Sequence, residues 1–290
     1  MGAEPELSLT ADGTSLGVTR LEGHGSVIVA LHGFTGDGST MRPLIERVRG
    51  ERSAILVDCI GHGISDAPPD EMQYSMTSVV DQVLSLVGQR PVGSVHLIGY
   101  SMGGRIALSM AARAPWYFAS VTTLSATPGI ADPIERARRY EDDRALADRI
   151  ETEGVEAFCD WWLSLPLFAP MVAALSAEQL ERTMAQRRTN TAHGLANSLR
   201  GTGTGSMPPL WAMLPALQSP YLALAGALDE RFVSLAQQAA SAARFGRAVT
   251  IAGAGHALHV ENPDEVSHLL RGFLEGCDTA AREARPESSL

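Results

Sequence analysis

A chain of 290 residues with 45% apolar side chains can bury one large core or two modest ones, which excludes a disordered protein. Its formal charge of −10 argues against a general nucleic-acid binder, because phosphate contacts need clustered cations. All 23 basic residues are arginine, so there is no lysine for a Schiff base or a phosphate-binding Walker loop. Cys59, Cys159 and Cys277 are odd in number and far apart, which reads as reduced thiols rather than a disulfide framework or a metal site. No apolar run approaches the ~18 residues of a membrane span, and MGAEPELSLT lacks the regions of a secretory signal, so a cytoplasmic protein with no membrane span is expected.

In chain order, Asp12-Gly13 lies between alternating stretches and predicts a hairpin at an antiparallel sheet edge. Short apolar runs at 26–33, 53–58, 94–100, 121–126, 220–226 and 247–253 read as buried strands. Helix-length segments such as 76–88 and 102–113 separate most of them, which implies βαβ units and an α/β fold with a mostly parallel sheet. Residues 127–215 break the alternation with helical spacing and no strand candidate, so we expect an α-helical lid there, leaving through GTGTGSMPP (201–209). The core is then 1–126 with 216–276, and 277–290 reads as a polar, frayed tail.

The chemistry centres on Gly99-Tyr100-Ser101-Met102-Gly103, a G-x-S-x-G pattern with a strand before it and a helix after it. The glycines permit a strained turn that pushes the serine hydroxyl out at the carboxyl edge of the sheet. A serine needs a histidine in reach and an acid to orient it. Asp229, past the strand ending near Gly226, and His256, past the last strand, are the candidates, and the order Ser, Asp, His is that of the α/β-hydrolase fold. His259 is a weaker candidate; Asp58 precedes the elbow and breaks the order. Two backbone amides are needed for an oxyanion hole, and Met102 and Phe34 are placed to give them. Such parts stabilise an enolate as well as a tetrahedral adduct, so they do not by themselves prove hydrolysis.

LHGFTGDGS, GHGISD, LIGYSMGGRIAL, PGIADPIERARRYEDD, WWLSLPLF, QRRTN, GTGTGSMPPLW and GHALHVENP together resemble the 2-succinyl-6-hydroxy-2,4-cyclohexadiene-1-carboxylate synthases of menaquinone biosynthesis, over roughly residues 26–275. The resemblance implies an α/β-hydrolase fold, a lyase that eliminates pyruvate, no cofactor or metal, and a small tricarboxylate substrate held by arginines. Matched motif by motif, it places substrate-binding roles on Tyr100, Arg105, Arg139, Trp162 and Arg188, with Trp161 and Arg138 as one-residue alternatives.

The competing account is that a lysine-free chain makes every cation an arginine whatever its role. Glu135 with Arg139 and Arg138 with Asp142 are spaced for surface i,i+4 pairs. Arg105, one turn into the central helix, is costly unless paired or reaching a cavity. A carboxylester or carbon–carbon bond hydrolase with the same three residues, and a ligand receptor on this fold, are the rival readings; oligomeric state is not legible.

Overall fold

Runs that are apolar at every position are buried on both faces, and in the computed structural model, which describes residues 3–88 and 90–283, they form the middle of one sheet. Its strands are β1 (Glu6–Leu9), β2 (Ser15–Leu21), β3 (Val27–Leu31), β4 (Ser53–Val57), β5 (Val95–Tyr100), β6 (Ser120–Leu124), β7 (Tyr221–Gly226) and β8 (Gly246–Ile251). The eight strands lie in the order β1-β2-β4-β3-β5-β6-β7-β8. β3, β5, β6 and β7 are buried at every residue, and all pairings from β4 to β8 are parallel. The hairpin closes at Asp12-Gly13, where Gly13 has φ +87° and the Asp12 carboxylate accepts the Thr14 amide at 3.0 Å. It adds β1 and β2 as antiparallel strands on one edge.

Helices α1 (Gly38–Val48), α2 (Met76–Val87), α3 (Met102–Arg113), α9 (Glu230–Ala242) and α11 (Pro263–Glu283) accompany the sheet. Two large apolar clusters flank it, one holding Val79, Val83, Ile106 and Met110, the other Met41, Ile45, Leu270 and Leu274. Between β6 and β7 lie α4 (Pro133–Glu153), α5 (Val155–Ser164), α6 (Ala169–Ala174), α7 (Ala177–Arg188) and α8 (Ala192–Thr202). This segment has an apolar cluster of its own, in which Ala147 and Ile150 of α4, Phe158 and Cys159 of α5, and Leu195, Ala196 and Leu199 of α8 are buried together. Among the described residues, no single helix is long and apolar enough to cross a membrane.

The C-terminal segment differs from the expected tail. α11 continues through Cys277 to Glu283, because Cys277 is buried and Asp278 is drawn onto the sheet. The Asp278 carboxylate takes an Arg52 ion pair at 2.6 Å and lies 3.1 Å from His96 Nε2. Polar composition concealed this anchor; residues 284–290 lie outside the described residues.

Candidate active site

The carboxyl end of β5 turns into α3 at Ser101, whose φ of +49° is a left-handed conformation that a side-chain-bearing residue rarely adopts. The neighbouring glycines make room for the turn. A Cβ on Gly99 would sit 2.2 Å from the Gly103 carbonyl oxygen, and one on Gly103 would sit 2.2 Å from the Leu31 carbonyl oxygen. Ser101 donates its amide to Leu124 O at 2.9 Å and Gly103 donates to His32 O at 3.0 Å, which ties the elbow to both neighbouring strands. Its hydroxyl is left facing a cavity.

His256 arrives on the loop after β8, and its Nε2 lies 3.1 Å from Ser101 Oγ. On the opposite ring edge, Nδ1 lies 2.9 Å from Asp229 Oδ2. Asp229 also caps α9, accepting the Phe232 amide at 3.4 Å, and the Phe232 ring packs 4.7 Å from the imidazole. Donation of Nδ1–H to Asp229 leaves Nε2 as the acceptor for the serine proton, the tautomer that a proton relay requires. Among the described residues, the backbone amides of Phe34 and Met102 have no hydrogen-bond acceptor within the protein, and both residues line the same cavity.

That cavity, of about 240 Å³, holds all three relay residues and four arginines: Arg105, Arg139, Arg187 and Arg231. Among the described residues its only carboxylate is that of Asp229, already engaged by His256. Arg105 donates to the Thr202 carbonyl; burial lowers its pKa to about 10, so it stays charged at neutral pH. Arg139 is held at 2.7 Å by Asp143, a buried carboxylate that also accepts the Gly205 amide at 3.0 Å. It thus pairs with Asp143 rather than with Glu135, while Arg138 is exposed and outside the cavity. Trp162 lines the cavity, stacked on Phe158 and edge-on to Phe34; Trp161 lies under the Arg149 guanidinium at 3.9 Å instead.

Arg188 requires a correction. It points away from the cavity and pairs with Asp160 of α5 at 2.8 Å, which holds its pKa up. The preceding residue, Arg187, is the one turned inward, buried, donating to Thr35 Oγ1 and lowered in pKa by that burial. The helical period explains the exchange, because Leu180, Met184 and Arg187 are spaced i, i+4, i+7 on the half-buried side of α7.

Tyr100 is buried, with its ring 5.5 Å from His256 and 4.5 Å from His259, and burial raises its pKa. With Phe34 and Arg187 it also lines a second cavity of about 680 Å³ that contains none of the relay residues. His259 borders that second cavity, and burial brings its pKa down to about 3, so its ring is neutral. Asp58 stays out of the relay: its two oxygens hold the Gly38 and Ile64 amides at 2.7 and 3.1 Å. Sequence reasoning missed Arg231, in the first turn of α9. It also missed Ser125, a cavity residue with φ +46° and a buried hydroxyl that has no partner among the described residues. Among the described residues, no group of histidine, cysteine and acidic side chains is placed to hold a metal ion.

Comparison with known proteins places this geometry in a lineage. Residues 28–269 match the alpha/beta hydrolase family. A Bacillus subtilis (strain 168) protein, provisionally named a 2-succinyl-6-hydroxy-2,4-cyclohexadiene-1-carboxylate synthase, is 38% identical over 247 residues, 85% of this chain and 89% of its own. MenH from S. aureus superposes with a TM-score of 0.83 at 32% identity, covering 90% of this chain and 98% of that one. A Thermogutta terrifontis esterase reaches a TM-score of 0.81 at 23% identity, over 95% and 99% of the two chains, which shows a shared fold and no more. The extent and identity of the synthase matches, set against the fold-only likeness to the esterase, establish that the chain belongs to the 2-succinyl-6-hydroxy-2,4-cyclohexadiene-1-carboxylate synthase family, a lyase branch of the alpha/beta hydrolases.

Proposed function

We propose that this protein eliminates pyruvate from 2-succinyl-5-enolpyruvyl-6-hydroxy-3-cyclohexene-1-carboxylate, with Ser101 as base, His256 and Asp229 as its relay, and α4–α8 as a lid over the site. The observation that carries the reading is the set of four arginines around Ser101 in a chain whose net charge is −10. Excess cationic charge in a partly desolvated cavity is costly unless its ligand is an anion, and guanidinium forks suit carboxylates. Arg139 already has Asp143, but a neutral ester would leave Arg105, Arg187 and Arg231 without a carboxylate partner among the described residues.

His256 Nε2 takes the Ser101 hydroxyl proton, and the alkoxide removes the proton from the ring carbon beside the succinyl ketone, restoring the hydroxyl. The electron pair moves onto the ketone oxygen, where the Phe34 and Met102 amides receive the enolate charge. Re-formation of the ketone pushes the pair into the C2–C3 bond, the C3=C4 double bond shifts to C4=C5, and the bond from C5 to the enolpyruvyl oxygen breaks, leaving the 2,4-diene. The departing enolate takes the proton from His256 and tautomerises to pyruvate. Arg105, Arg139 and Arg187 hold carboxylates so that the ring proton meets Ser101, with Arg187 in the role first expected of Arg188; Tyr100 and Trp162 complete the walls.

The test is pyruvate release from the pathway intermediate compared with turnover of a p-nitrophenyl ester. Elimination predicts preference for the intermediate and no acyl adduct on Ser101 in a rapidly quenched reaction. Faster ester turnover with an acyl-serine would make the protein a hydrolase.

A further inference from the structure

We propose that Glu261 is a positioning residue for His256, a carboxylate that clasps the main chain on both sides of the imidazole. Glu261 ends the short helix α10 (Leu258–Glu261), and its side chain turns back toward the loop. Oε1 accepts the Ala257 amide at 2.9 Å and Oε2 accepts the Gly255 amide. One carboxylate therefore holds the peptide group that follows the His256 Cα and the one that enters Gly255, so the loop is fixed on either side of the imidazole. A Cβ on Gly255 would stand 2.9 Å from Pro170 and 3.2 Å from Glu261 Oε2, so the close approach depends on glycine there.

This contact decides where the imidazole goes. Residues 254–257 are buried, so the Gly255 and Ala257 amides have no bulk water to turn to, and each donor left unmade carries its full desolvation cost. The loop can avoid that cost only by moving to other acceptors, and His256 moves with it. Its contacts are 3.1 Å to Ser101 and 2.9 Å to Asp229, and a misplacement of about 1 Å at such a site costs on the order of 100-fold in rate. Only a carboxylate fits: the glutamine amide offers one acceptor and one donor, so one of the two N–H groups would face another N–H.

The inference rests on the Ser101–His256–Asp229 relay but not on the identity of the substrate. E261Q is expected to lower kcat at least about tenfold with KM within about twofold of wild type. The far-downfield proton resonance of the His256 Nδ1–H···Asp229 bond should shift or vanish while the near-ultraviolet circular dichroism is kept. E261D, which keeps both acceptors on a shorter arm, should recover part of the kcat and of the resonance; it carries the test alone if the amide variant does not fold. E265Q is the control, because Glu265 binds Asn262 at 2.7 Å and neither flanking amide. An unmoved resonance overturns the clasp, whether or not kcat falls, and so does a kcat loss matched by E265Q. The resonance is read without substrate, so a protein that releases no pyruvate would fail the proposed reaction and still test the clasp.

Discussion

β5 carries a hydrogen-bonded serine–histidine–aspartate series at each end, and only one of them has the surroundings that the proposed reaction needs. At the carboxyl end, Ser101, His256 and Asp229 are joined by contacts of 3.1 and 2.9 Å. At the amino end, Ser120 Oγ lies 2.7 Å from His96 Nδ1, whose Nε2 lies 3.1 Å from Asp278. The residue types match, but their settings are opposed. Ser101 sits on a strained turn facing an arginine-lined cavity, with free amides beside it. Ser120 lies at the start of β6 with no exposed surface, and Asp278 is neutralised by Arg52 at 2.6 Å. A relay is therefore defined by what its serine can reach and where negative charge can develop, not by three side chains in series.

The largest separation is expected in turnover. Ser101→Ala, His256→Ala and Asp229→Asn should each lower kcat about 10³-fold or more without adding to one another, since they act as one proton-transfer unit. Ser120→Ala should leave kcat within about twofold. Steady-state pyruvate release reads both, and comparable losses from Ser101→Ala and Ser120→Ala would erase the distinction.

Stability should reverse the ranking. Asp278→Asn removes a largely buried ion partner and should cost about 2–3 kcal/mol by urea denaturation, whereas Asp229→Asn should cost less. Burial works to raise the Asp278 pKa, but the bonds from His96 and Arg52 outweigh it and hold the carboxyl well below its ordinary range. A carboxyl depressed in the folded state contributes stability that is complete above the unfolded value of about 3.9 and is lost as pH falls through the folded value. Wild type should thus lose stability below about pH 4 more steeply than Asp278→Asn; parallel acid limbs would remove Asp278 from the account.

Smaller effects sharpen the setting of the reactive end. Arg187→Ala should lower kcat/KM tenfold or more, a loss of about 1.4 kcal/mol or greater, while Arg188→Ala, already paired with Asp160, should change it less than about twofold. The same contrast is expected between Arg139→Ala and Arg144→Ala, because Arg144 lies outside the cavity and binds Glu71 at 3.2 Å. Equal effects within either pair would make these arginines a solvated face.

The fold and the meeting of Ser101, His256 and Asp229 were legible because their signals are local. Fully apolar runs such as VIVAL specify buried strands, a glycine-flanked serine between strand and helix specifies the elbow, and Asp229 and His256 follow the next strand ends. The arginines were harder to place, because adjacent positions on a helix differ by about 100° in direction, enough to separate Arg187 from Arg188. Glu261 and Asp278 act across distance, on the main chain of a loop and on the far end of a sheet, and nothing beside them in sequence names their partners. Composition alone made residues 277–283 a tail, whereas burial of Cys277 makes them part of the core.

The lowered proton affinity of Arg105 shows what a guanidinium provides that an amine in its place would not. Burial takes it to about 10, still far above neutrality, so the guanidinium keeps its charge at neutral pH. An amine starts about two units lower, near 10.4, and burial moves it further toward neutrality. A lysine there would keep its charge less securely than the guanidinium does. The choice of cation thus sets how broad a pH range the cavity can serve.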